Sequence, residues 1–210
     1  MWAFEDDFDT YSDGDLNGQG SWSGNAAFDV QGSVVHHGTK AVSLVLSNDV
    51  TINSPSFTSA ANGTAYVSMR ATNVSMAASS GGMVSVLKTA ADTAIAYIGL
   101  VADKLRISIN GGVWADTGIS VVANIWYRIA IAFETGAGGW EGLAADTYKV
   151  SIDNGASWSG AESLVASSGV EKLTLAVDGP GGSGTGYWDF ISPDYAKASS
   201  SFDSLLLAGD

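Results

Sequence analysis

Apolar and polar side chains alternate with a period of two along most of this 210-residue chain, and very little repeats at the helical spacing. The clearest stretch is Lys104 to Asn110, where Leu105, Ile107 and Ile109 point one way and Lys104, Arg106 and Ser108 the other, as a half-buried strand requires. Asn110-Gly111-Gly112 follows, and residues that tolerate positive φ predict a hairpin there. Thr147 to Asp153 repeats the pattern and runs into Asn154-Gly155, which predicts a second hairpin. Further strands are expected at 27–31, 41–47, 50–53, 65–71, 83–89, 95–101, 126–134, 173–177, 186–191 and 201–208. Glycines gather in the connections, and only 3 prolines interrupt the strands. Many short strands set off by turn residues predict an all-β fold, a two-sheet antiparallel jelly-roll β-sandwich, with residues 1–210 expected to form a single domain.

Charge and composition narrow the partners. The chain carries 9 Lys and Arg against 22 Asp and Glu, a formal net charge of −13 that repels a phosphate backbone, so no nucleic acid is expected as partner. Its apolar runs are far shorter than a bilayer-spanning helix needs, so no membrane insertion is expected. There is no cysteine for a disulfide, a thiolate metal site or a nucleophile. Met1 is followed at once by Trp2, Phe4 and a run of acids, without the basic and apolar regions of a secretory signal.

Three stretches carry a family resemblance. Phe4-Glu5-Asp6-Asp7-Phe8-Asp9 with Tyr11, Gly14, Leu16 and Trp22 opens the chain; Trp126 to Phe133 leads through a glycine-rich turn to Tyr148 to Gly155; and Gly186-Tyr187-Trp188-Asp189-Phe190-Ile191 precedes Phe202 to Leu207. Together and in this order they resemble the laminin-G-like and concanavalin A-like lectin/glucanase superfamily. The resemblance implies a lectin-like jelly roll. It leaves the function open, because this superfamily holds lectins, glycosidases, lyases, adhesion modules and viral structural proteins.

Candidate sites follow from residue chemistry. Glycoside hydrolysis needs two carboxylates about 5–9 Å apart, and none of Glu5, Glu134, Glu141, Glu162 and Glu171 has a second acid at the spacing of a Glu-x-Asp-x-x-Glu strand motif. His36 and His37, next to Gly38, read as an exposed polar turn rather than as a general base. Acids crowd the opening turns, and Asp13-Gly14-Asp15-Leu16-Asn17-Gly18 matches the start of a calcium loop, although Gly24 stands where the bidentate Glu belongs. The resemblance implies a structural calcium tying the first strand to the last, drawing on Glu5 or Asp7 with Asp189 or Asp203. The candidate ligands are thus Glu5, Asp7, Asp13, Asp15, Asn17, Asp189 and Asp203, with calcium as the one expected cofactor.

Aromatic rings just after glycine-containing turns suit a sugar platform, which singles out Trp22, Trp114, Trp140 and Trp158. Trp126 and Trp188 read as core, and Trp2 fits either role. The leading expectation is a non-catalytic structural or binding protein on a virion. As a decoration, fibre or appendage component it would contact neighbouring subunits or a host glycan, be a homo-oligomer, and reach the outside by assembly. A secreted carbohydrate-binding or adhesion module comes second, and a jelly-roll glycosidase or polysaccharide lyase third.

Overall fold

The computed structural model describes residues 1–47, 49–76, 82–109, 113–179 and 182–195. Strands are numbered β1 to β15 along the chain, and every pairing between them is antiparallel. The larger sheet has the order β1 (Gly14–Asp15), β3 (Asp29–Gln31), β4 (Ala41–Val45), β15 (Thr185–Ser192), β6 (Asn62–Ala71), β11 (Tyr127–Glu134), β12 (Thr147–Ser151), β13 (Glu162–Ser163). The smaller runs β10 (Val113–Ser120), β9 (Lys104–Ile109), β8 (Ala94–Val101), β7 (Gly82–Lys88), β14 (Lys172–Asp178), β5 (Val50–Asn53), β2 (Ser23–Gly24). Short 3₁₀ turns cover Gln19–Ser21 and Trp140–Gly142. This is the expected jelly-roll β-sandwich. No helix among the described residues is long and apolar enough to cross a membrane.

Alternation decides what each sheet puts inside. In the larger sheet Ala65, Val67 and Met69 of β6, Ile129, Ile131 and Phe133 of β11, and Trp188 of β15 face inward. Met83 and Leu87 of β7, Ile98 and Leu100 of β8, and Leu173, Leu175 and Val177 of β14 face them from the smaller sheet. Each such side chain contributes about 1.5–3 kcal/mol by leaving water. Trp188 is core as expected, and Trp2 joins it, edge-on to Phe57 at 4.7 Å and to Phe133 at 6.3 Å. The first residues are tied to β15 through the backbone: Asp6 N–H donates to Ile191 O and Ile191 N–H to Asp6 O, both at 2.9 Å.

Most predicted strands appear within a few residues of their expected bounds. β10 escapes the periodicity because Val-Trp-Ala-Asp-Thr-Gly-Ile-Ser does not alternate, and its register against β9 shifts between Asp116 and Ser120. It nevertheless pairs with β9 through Val113 opposite Ile109, the expected hairpin partner. The Asn154-Gly155 turn forms with both residues at positive φ, 58° and 80°, but the strand after it that pairs with β12 comes only at Glu162–Ser163. The strand expected at 201–208 lies outside the described residues.

Candidate functional site

With the odd residues of β7 and β14 inside, the even ones form the outward face of the smaller sheet. Cross-strand register arranges that face in rows. Lys88 lies opposite Lys172; Val86 lies between Tyr97 of β8 and Thr174, with Asn53 of β5 beyond; Val84 lies between Gly99 and Ala176, with Thr51 beyond; and Gly82 lies opposite Asp178. The outcome is a groove of about 190 Å³ lined by Val84, Val86, Tyr97, Ala176, Lys88 and Asp178 among others.

Trp114 of β10, half-buried, lies over this face. A side-chain carbon at Gly99 would stand 3.1 Å from Trp114 Cη2, so the absence of one there leaves room for the indole against the sheet. Tyr97 meets it edge-on at 6.5 Å, and the indole N–H donates to the Asp178 carboxylate. Partial burial, reinforced by the nearby charge of Asp49, raises the Asp178 carboxyl above its usual range against that hydrogen bond. Thr174 Oγ1 donates to Asn53 Oδ1 at 2.6 Å. Two aromatic edges, an apolar floor, hydroxyl and amide groups and a carboxylate thus share one open groove, the mixture that suits a ligand with alternating apolar and hydroxyl-bearing faces.

The other three candidate tryptophans lie elsewhere. Trp22 is 1% exposed, with its Nε1–H bonded to Asp6 Oδ2 at 2.7 Å, and so presents no free face. Trp140, half-buried, donates from Nε1 to Thr64 Oγ1 at 3.1 Å on the outward side of the larger sheet. Trp158 packs on Gly155 and carries the Lys149 ammonium 4.7 Å from its ring centre, while the same ammonium donates to Glu141 O. Only Trp114 borders the groove.

The acids expected to bind calcium serve the chain's own turns. Asp7 Oδ1 accepts from Asp9 N, and Asp15 Oδ1 from Asn17 N. Asn17 Oδ1 accepts from Gly24 N, and Asp13 pairs with Lys40. Asp189 accepts from His36 N and His37 N. Glu5 has its own interaction, and Asp203 lies outside the described residues. Among the described residues no three His, Cys, Asp or Glu gather in a metal-holding cluster. Melting curves in calcium and in chelator decide the matter: a higher melting temperature in calcium assigns a native-state site by mass action, and coinciding curves remove it.

Sequence reasoning missed Asp6, whose carboxylate gathers Phe8 N, Tyr11 Oη and Trp22 Nε1. Burial raises its carboxyl despite those bonds. It also misplaced two features of the larger sheet's outward face. His36 and His37 are half-buried rather than an exposed turn: both amides are pinned on Asp189, at 2.6 and 2.9 Å, and the His37 ring stacks on Phe190 at 4.2 Å. Trp126 is half-buried outside the core, against the His36 ring at 5.3 Å and Tyr187 at 6.4 Å, because it precedes β11 and points away from the inner layer. The signal for the pinned turn was a carboxylate on a central strand, which must find donors when buried.

Solved structures share this fold. A cellulose induced protein, Cip1, superposes with a TM-score of 0.55 at 14% identity, over 90% of this chain and 95% of that one. A carbohydrate esterase from Shiga toxin-encoding bacteriophage phi24B gives 0.54 at 18% identity, over 81% and 88%. The catalytic domain of a glycoside hydrolase family 131 protein from Coprinopsis cinerea gives 0.52 at 10% identity, over 92% and 94%. These likenesses bear out the β-sandwich fold. No protein-family model matches the chain. No curated protein matches it in sequence.

Proposed function

We propose that this protein is a non-catalytic glycan-binding β-sandwich that holds its ligand along the outward face of the smaller sheet. The observation that carries this reading is Trp114, set against Gly99 beside Tyr97 and Asp178 at a groove whose lining also offers Thr51 and Thr174. A sugar ring stacks its C–H face on an indole while hydroxyls bond to such neighbours. The carbohydrate-related names of the solved structures that share the fold support the ligand class.

Titration of oligosaccharides, followed calorimetrically, tests it. Trp114→Ala is expected to weaken binding at least about tenfold, the loss of roughly 1.4 kcal/mol, whereas Trp158→Ala leaves it unchanged. Equal affinities for wild type and Trp114→Ala would remove the groove from the account. Catalysis would have to start from Asp178 and Asp49, the carboxylates at one end of the groove. Turnover of a bound oligosaccharide, lost in Asp178→Asn, would replace the binding reading by a hydrolytic one.

A second reading concerns setting. The likeness to a phage-encoded carbohydrate esterase supports a place on a virion, with the same groove meeting a host glycan and with other copies of the chain as neighbours. Native mass measurement separates the two settings: a homo-oligomer fits the particle component, and a sugar-binding monomer fits the secreted module.

A further inference from the structure

We propose, building on the glycan-groove reading, that the ligand is an anionic glycan whose carboxylate- or sulfate-bearing sugar sits over Lys88. The chain has a formal net charge of −13 and only 9 Lys and Arg, yet two of those cations lie directly opposite each other on adjacent central strands. Lys88 of β7 pairs in register with Lys172 of β14. Leu87 and Leu173 point into the core, so both ammonium-bearing chains rise from the outward face. Like charges in that position destabilise a sheet.

The two lysines are answered unequally. Lys172 forms an ion pair with Asp92 at 3.1 Å. Lys88, half-buried at the groove wall, has the Asn53 amide oxygen at 3.5 Å, and among the described residues no carboxylate lies within ion-pair distance of it. Burial lowers its ammonium pKa, with Lys172 pushing the same way and Asp92 opposing. A partly desolvated cation that lines a groove and lacks a carboxylate partner gains most from an anion delivered by a ligand.

The opposite end of the groove has the opposite sign. Asp178 pairs with Gly82, six residues along β7 from Lys88, or about 20 Å of strand, and Asp49 lines the same end. An anionic group is attracted to the Lys88 end and repelled from the Asp178 end, so the charge pattern also sets the direction in which the glycan lies. Trp114 and Tyr97 stack rings between the two.

The test compares tetragalacturonate, a heparin tetrasaccharide and cellotetraose as calorimetric probes. One anionic probe is expected to bind at least about tenfold tighter than cellotetraose, a preference of roughly 1.4 kcal/mol, and the arm that binds distinguishes carboxylate from sulfate. Lys88→Gln should erase that preference, and Lys88→Arg should keep it; unchanged melting curves show that both variants fold. Cellotetraose bound as tightly as either anionic probe, with Lys88→Gln silent, overturns the anionic ligand and leaves the groove standing. Binding untouched by Trp114→Ala, or no binding of any probe, overturns the groove reading and this inference with it.

Discussion

Replacing Asp189 by Asn is expected to give a protein whose stability, relative to wild type, rises by about 4 kcal/mol between pH 4 and pH 7. The cause is a buried carboxylate on the outward face of the larger sheet. Burial raises the Asp189 carboxyl from 3.8 to about 7, against three backbone N–H groups, those of His36, His37 and Phe190, that favour its charge. Between those pH values the folded protein holds a proton that the unfolded chain has released. Its contribution is therefore full below pH 3.8 and lost as pH rises through 7.

His36 works in the opposite direction over nearly the same window. Burial, then the Arg128 charge and His37, lower its imidazolium pKa from 6.5 to about 4. The unfolded chain takes up this proton first, so the contribution is full above pH 6.5 and lost as pH falls through 4. The two slopes, each about 1.4 kcal/mol per pH unit, oppose each other in wild type between pH 4 and 6.5. His36→Asn should accordingly show a stability that falls with rising pH relative to wild type, by about 3 kcal/mol across the window. Urea unfolding at half-unit pH intervals reads both difference curves, and flat curves would mean that neither group changes charge differently in the two states.

Arg128→Met is the second large effect, with an expected loss of about 3–5 kcal/mol and a fall in melting temperature of about 10 °C. Arg128 is 6% exposed and lies between the rings of Phe190 and Tyr66, at 4.7 and 5.6 Å. Its guanidinium donates to Phe190 O, to Ser192 Oγ at 2.5 Å, to Ser68 Oγ at 3.3 Å and to Asp194 O at 3.4 Å. Phe190 sits in a bulge of β15, with a φ of 24° and no place in the β6 ladder between Asp189 and Ile191. Its carbonyl depends on the guanidinium. Methionine fills similar space but takes the guanidinium donor from Phe190 O and Ser192 Oγ.

Arg128→Lys should fall between the two, because one ammonium cannot reproduce the planar fork. Nuclear magnetic resonance titration of His36 gives an independent readout: removing the neighbouring positive charge should raise its pKa in Arg128→Met. A His36 titration identical to wild type, or a melting temperature within a degree or two of it, would show that the guanidinium does not hold this face together.

How far such features could be read in advance depended on how local their cause was. Lys104–Ile109 and Thr147–Ser151 were legible because alternation is a property of consecutive residues. The Val113–Ser120 strand was not, since its side chains alternate poorly and its place is set by β9. Trp114 could be named as a ring after a turn, but nothing nearby in sequence says that Gly99 lies beneath it. Lys88 and Lys172, or Asp189 and the His36-His37 pair 153 residues away, become neighbours only through register.

The sequence by itself thus determined the all-β class, most strand positions, the two inward layers and an acidic surface, because each follows from period-two patterning, turn residues and net charge. Tertiary structure alone decided which tryptophan meets an open groove, which acids are used up by the chain's own amides, and where two lysines face each other. Those outcomes depend on strand order and register between segments distant in the chain, which no local run of residues encodes.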